Sequence, residues 1–115
     1  MKIIYCIDYL VSSGGTERVL TTKLNWWATQ SDIDVYVVSL HEQGEPFFAL
    51  DSRVQRIILD VLPSDKRTYH KVLSEITMQL QPDVMVAVAG MAVEILPQLD
   101  DNSKKVLEFH YTKNF

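Results

Sequence analysis

The chain has 115 residues, 47% hydrophobic and 23% charged, with 11 Lys and Arg against 15 Asp and Glu for a formal net charge of −4. That size suits one domain with a sizeable core, and the balance is that of a globular sequence rather than a disordered or fibrous one. The acidic excess argues against a nucleic-acid-binding surface, which carries a basic one, and a single cysteine, Cys6, excludes a disulfide framework and a thiolate metal site.

A lone cysteine fits a reducing compartment. No apolar stretch reaches the roughly 20 residues of a membrane span, and the first ten residues enter a strand rather than the regions of a signal peptide. A cytoplasmic location is expected.

In chain order, the first apolar run (3–7) reads as a strand. It is followed by Asp8 and by the glycine pair Gly14-Gly15, which opens into Thr16-Glu17-Arg18-Val19-Leu20. A helix is predicted over 17–29, burying Leu20, Leu24, Trp27 and Ala28. The second and third strands are placed at 35–40 and 54–59. Between them, residues 41–51 contain Gly44 and Pro46 and read as a loop where a helix would be expected. A second helix is predicted to begin near the capping candidate Ser64, to present Tyr69, Val72, Leu73, Ile76 and Leu80 as one stripe, and to stop before Pro82. The fourth strand is placed at 84–88. Residues 90–99 form a poorer helix, since Pro97 breaks it unless it falls in a first turn. The fifth strand is placed at 106–109.

Most of these runs are continuously apolar, as expected of strands covered on both faces. The alternation of strands and helices predicts an α/β, doubly wound, mostly parallel Rossmann-like sheet of about five strands with helices on both faces.

In such sheets ligands bind at the carboxyl ends of the strands, near the switch point. Asp8 and Gly14-Gly15 follow the first strand, His41 and Glu42 the second, Asp60 the third, Ala89-Gly90 the fourth and His110 the fifth. Gly14 and Gly15 fit a phosphate, because a backbone without Cβ atoms lies close to a ligand and the start of a helix favours negative charge; a plain tight turn is the bland alternative. Thr16 and Arg18 could supply a hydroxyl and a cation to the same phosphate. Glu17 reads as a cap on the first turn. Asp8 stands out, since charge at the end of a buried strand is seldom there for packing, although it could equally cap the following turn. His41 reads as solvated. His70, with Lys66, Arg67 and Lys71, reads as an exposed basic face, contact with a membrane surface being the sharper alternative. His110 ends an apolar strand between Phe109 and Tyr111, a place where histidines are often functional. Cys6 reads as a core residue.

The dinucleotide pattern Gly-x-Gly-x-x-Gly is not met, and there is no Walker loop, no Gly-x-Ser-x-Gly elbow and no metal-ligand spacing. No metal or cofactor is expected, and a Rossmann oxidoreductase ranks low.

Five stretches together carry a resemblance: Lys2-Ile3-Ile4-Tyr5, Ser13-Gly14-Gly15-Thr16-Glu17-Arg18-Val19-Leu20, Val35-Tyr36-Val37-Val38-Ser39-Leu40, Pro82-Asp83-Val84-Met85 and Lys105-Val106-Leu107-Glu108-Phe109-His110. Over its whole length the chain resembles the amino-terminal half of group 1 (GT-B fold) glycosyltransferases. The most specific elements are the Gly-Gly-x-Glu-Arg loop and the histidine after the fifth strand. The resemblance implies one Rossmann-like, acceptor-side domain over 1–115, closing over a nucleoside-diphosphate sugar held by a second such domain with paired glutamates, expected beyond Phe115. It implies transfer of a sugar, with retention, to a glycan or lipid-linked acceptor, in the cytoplasm or at the inner membrane surface. Gly14 and Gly15 would approach the donor diphosphate, His110 would contact the transferred sugar as the catalytic residue, and Asp8 would lie on the acceptor side. The chain departs from the family at Asp32-Ile33-Asp34, where Gly-His is frequent.

Two other classes stay open. Asp8 and Asp60 loosely resemble the carboxylates of a phosphoacceptor receiver domain, but Ala87-Val88-Ala89 lacks the expected hydroxyl and Lys113 lacks a following proline. A non-catalytic anion-binding module is the third reading.

Overall fold

The computed structural model describes residues 1–11 and 14–108. Five strands, β1 (Lys2–Cys6), β2 (Asp34–Ser39), β3 (Gln55–Ile58), β4 (Val84–Ala87) and β5 (Lys104–Leu107), form one sheet in the order β3-β2-β1-β4-β5, every neighbouring pair parallel. The helices are α1 (Gly15–Ala28), α2 (Lys66–Leu80) and the short α3 (Met91–Ile95), which continues into a 3-10 turn (Leu96–Gln98). The predicted α/β doubly wound, parallel, Rossmann-like sheet is the observed fold.

Alternation along β1 shows how both faces are covered. Ile4 and Cys6 point to one side and pack with Tyr69 and Leu73 of α2 and with Met91, Ala92 and Ile95 of α3. Ile3 and Tyr5, with Ile7 just beyond the strand, point to the other side and pack with Leu20, Leu24 and Ala28 of α1. Successive side chains of a strand face opposite ways, so a central strand between two helical layers must be apolar at every position. That is the physical reason the run is unbroken.

The element boundaries differ from expectation in instructive places. The first helix starts at Gly15, two residues early, so Gly14 is its N-cap and Gly15 lies in its first turn. Trp27, expected in the core, is only partly buried, and Thr21 takes a buried place instead. The second helix is capped by Asp65, whose side chain accepts the Thr68 N–H at 3.3 Å. Ser64, the expected cap, has a φ of 70° and turns the chain before it. Gln81 ends that helix in the left-handed conformation, directly before Pro82. Pro97 falls in the first turn of the 3-10 segment, where its missing N–H costs nothing. The fifth strand begins at Lys104, earlier than expected.

Candidate functional site

The sheet order reverses between β1 and β4, since β1 continues to β2 on one side while β4 and β5 lie on the other. Their carboxyl ends therefore frame the crevice in which ligands of doubly wound sheets bind. Asp8 comes from the β1 side and Gly90 from the β4 side.

The Asp8 carboxyl lies against the Cα of Gly90, and a Cβ on Gly90 would collide with all three of its carboxylate atoms. The Gly90 backbone, φ 73° and ψ −147°, lies in a region that side chains other than hydrogen scarcely enter. Burial pushes the Asp8 carboxyl above its ordinary pKa, with the Met91 N–H pulling in the opposite direction. Asp8 Oδ1 is buried without a hydrogen-bond partner, as is the Tyr69 hydroxyl. Burial, then the proximity of Cys6 and Asp8, raise the Tyr69 phenol. Beneath the crevice, β1 and α2 thus place Asp8, Cys6 and Tyr69 in one poorly hydrated neighbourhood.

The glycine loop is organised by carboxylates. Glu17 Oε2 accepts the Gly14 N–H at 2.8 Å. Because glycine has no side chain, this is the return half of a capping box without its forward half. The Arg18 N–H closes the first helical turn on the Gly14 carbonyl at 3.1 Å. A Cβ on Gly14 would meet the Glu17 carboxylate, whereas a Cβ on Gly15 would meet nothing within 4 Å. Gly15 is exposed, and its N–H donates to no group among the described residues. Thr16 and Glu17 are partly exposed and Arg18 is exposed.

Glu42 has a larger part than its place beside a solvated histidine suggested. Its carboxylate is buried, 2% exposed, and receives the N–H groups of Leu10 at 2.9 Å and Val11 at 3.2 Å, in the middle of the connection between β1 and α1. Arg56 of β3 stands 3.2 Å from Glu42 Oε2 and donates through Nη1 to the Gly44 carbonyl at 2.9 Å. Burial alone would raise the Glu42 carboxyl, but the Ser39 hydroxyl, the Leu10 N–H, Arg56 and the Val11 N–H together hold it below its ordinary pKa. The pair joins Glu42, in the loop after β2, to Arg56, 14 positions on in the neighbouring β3, and nothing in the local pattern around either marks it.

The remaining candidates are dispersed. His41 is exposed, with Nδ1 3.9 Å from Asp60 Oδ1, and Asp60 is fully exposed at the end of β3 on the edge of the sheet. His70 lies on α2 near Arg67 and Lys66, and Lys66 pairs with Glu94 at 2.7 Å. Cys6 is buried in the core, and burial pushes its thiol up to about 12. His110, with Phe109, Tyr111 and Lys113, lies outside the described residues. Among the described residues no three His, Cys, Asp or Glu side chains group as a metal site would require, and no helix is long and apolar enough to cross a membrane. Compared with protein-family models, curated proteins and solved structures, the chain gives no match.

Proposed function

We propose that the chain is the acceptor-side, amino-terminal domain of a GT-B glycosyltransferase, which moves a sugar from a nucleoside diphosphate to a glycan or lipid-linked acceptor in the cytoplasm or at the inner membrane surface. The observation that carries this reading is Gly15. It stands in the first turn of α1 at the carboxyl edge, with an N–H that meets no acceptor among the described residues and open space where a side chain would be. The fold imposes no positive φ there and leaves room for a side chain, and backbone approach by a ligand is a physical use for a glycine at such a place. Loop N–H groups of this kind stabilise charge that develops on a diphosphate leaving group, and exclusion of water by a second domain strengthens the effect. His110 is proposed to contact the transferred sugar, and Asp8 to face the acceptor.

Strand order favours this reading over a phosphoacceptor receiver. In the receiver-type order 2-1-3-4-5 the third strand adjoins the first. Here β2 separates them, and Asp60 stands at the sheet edge away from Asp8. The carboxylate pair that a receiver needs is not assembled.

The test uses the 115-residue chain and calorimetry with uridine and guanosine diphosphates, beside a hydrolysis assay on their sugar conjugates. One wall of a cleft can neither exclude water nor orient donor against acceptor. Millimolar binding, about −4 kcal/mol, without turnover is expected. Micromolar binding or turnover by this chain alone would overturn the half-enzyme reading.

A further inference from the structure

Both tryptophans of the chain stand side by side near the end of α1, and neither is buried in the core. Their rings meet edge to face, with centroids 4.8 Å apart and planes at 69°, so they form a corner rather than a flat plate. Trp26 is 57% exposed, which leaves a broad apolar ring in water.

That corner is one wall of a pocket of about 440 Å³, completed by Tyr5, Thr22, Lys23 and Glu108. Its polar groups are held in place. Tyr5 is 3% exposed, and its oxygen accepts the Trp27 indole N–H at 3.0 Å, which fixes the plane of that ring. A phenol that accepts one bond keeps its own hydrogen to donate, and the Tyr5 hydrogen meets no acceptor among the described residues. Lys23 Nζ stands 2.8 Å from Glu108 Oε2, a pair that joins α1 to the end of β5 across 85 residues.

The lining selects among ligands. Its charges, Lys23 and Glu108, cancel, so neither an anion nor a cation is favoured. A nucleotide would bring a phosphate to a lysine already matched by a carboxylate. What fits indole faces, a hydroxyl donor, an ammonium and a carboxylate together is an uncharged ring with apolar C–H faces and hydroxyls around its rim.

We propose that this pocket is a glycan subsite that takes one pyranose ring of a neutral oligosaccharide, its C–H face on Trp26 and its hydroxyls on Tyr5, Lys23 and Glu108. The subsite shares no side chain with the crevice at Asp8 and Gly90, and it does not rest on the reading of Gly15.

The experiment follows the indole N–H resonances of the ¹⁵N-labelled 115-residue chain with maltotriose, cellotriose and chitotriose as probes and uridine as a flat, uncharged control. At least one glycan should shift the Trp26 and Trp27 signals, with millimolar affinity. Trp26→Ala should weaken that binding roughly tenfold or more, as truncating a contact tryptophan does, and Tyr5→Phe roughly threefold or more, the worth of one hydrogen bond. Trp26 is exposed, so its truncation leaves the core packing intact. Phe47→Ala, which removes an exposed ring outside the pocket, should change nothing. No binding of any of the glycans, binding that Trp26→Ala or Tyr5→Phe retains in full, or tighter binding of uridine would overturn the inference. So would indole signals that move with protein concentration alone, which makes a second copy the occupant, or that move in a sugar-free Tyr111→Ser variant, which makes it the chain's own end. The diphosphate reading of Gly15 stands or falls separately, on binding of uridine and guanosine diphosphates.

Discussion

The Asp8 carboxyl fills the place that a side chain at residue 90 would need, so Gly90 and Asp8 fit one another as a single piece of the crevice wall. The two are brought together only because β1 and β4 are neighbours in the sheet.

Gly90→Ala should therefore be costly. A side chain at φ 73° is strained, and its Cβ must displace Asp8. A loss of about 2–4 kcal/mol in urea unfolding is expected. In an Asp8→Ala background the same change should cost clearly less, because only the backbone strain remains. Equal costs in both backgrounds would mean that the carboxyl gives way freely.

Asp8→Asn tests the buried charge. The folded-state pKa of Asp8 is raised, chiefly by burial. Between the unfolded and folded values the native state holds more protons than the unfolded chain, so this group's contribution worsens as pH rises through that window. The neutral variant should melt higher than the wild type at pH 7, and the difference should shrink as pH falls below the ordinary carboxylate range. Glu42 and Asp101, whose pKa values are lowered, have the opposite dependence but are common to both proteins and drop out of the difference. A variant less stable than wild type at pH 7 would show that the carboxylate charge is needed where it sits.

Gly15→Val separates packing from ligand contact. With open space at the Cβ and no positive φ, stability should change by less than about 1 kcal/mol. In an enzyme that also carries a donor-binding domain, turnover should fall by at least about tenfold. His110→Ala in the same enzyme should lower the rate by about ten- to a thousandfold. Full activity in the Gly15 variant would return the loop to a plain turn.

Cys6 should be inert in the folded protein. It is fully buried with its thiol pushed up to about 12, so almost no thiolate exists at neutral pH. An aromatic disulfide reagent should label it only as fast as the core opens, and urea should make labelling immediate. Rapid labelling of the native chain would contradict the burial.

The central strands β1, β2 and β4 and the helix α2 are legible because their signals are local: apolar runs where a strand is buried on both faces, and a stripe from Tyr69 to Leu80 for α2; the edge strands β3 and β5, with Gln55, Arg56, Lys104 and Lys105, carry a weaker signal. The start of α1 is less so. A glycine pair reads as a loop, and the Glu17 carboxylate that lets the helix begin at Gly15 acts from three residues beyond Gly14. Asp65 displaces Ser64 as a cap because of a single backbone angle. At the candidate site, Asp8 and the glycine loop can be singled out by position after β1. The contact of Asp8 with Gly90 and the pairing of Glu42 with Arg56 depend on which strands become neighbours, and that is a property of the assembled sheet.

All-parallel pairing also has a kinetic consequence. Among the described residues no two strands are joined by a hairpin, and the amide of Lys2 in the central strand meets the side chain of Asp83 across a separation of 81 residues. Closing so long a loop comes before the contacts that reward it, which places folding among the slower regimes of small domains. Until β4 arrives, a chain with β1, β2 and β3 already joined presents the apolar run Ile3-Ile4-Tyr5-Cys6 as an open edge. On a ribosome or in refolding buffer, that interval is when self-association competes with completion of the sheet.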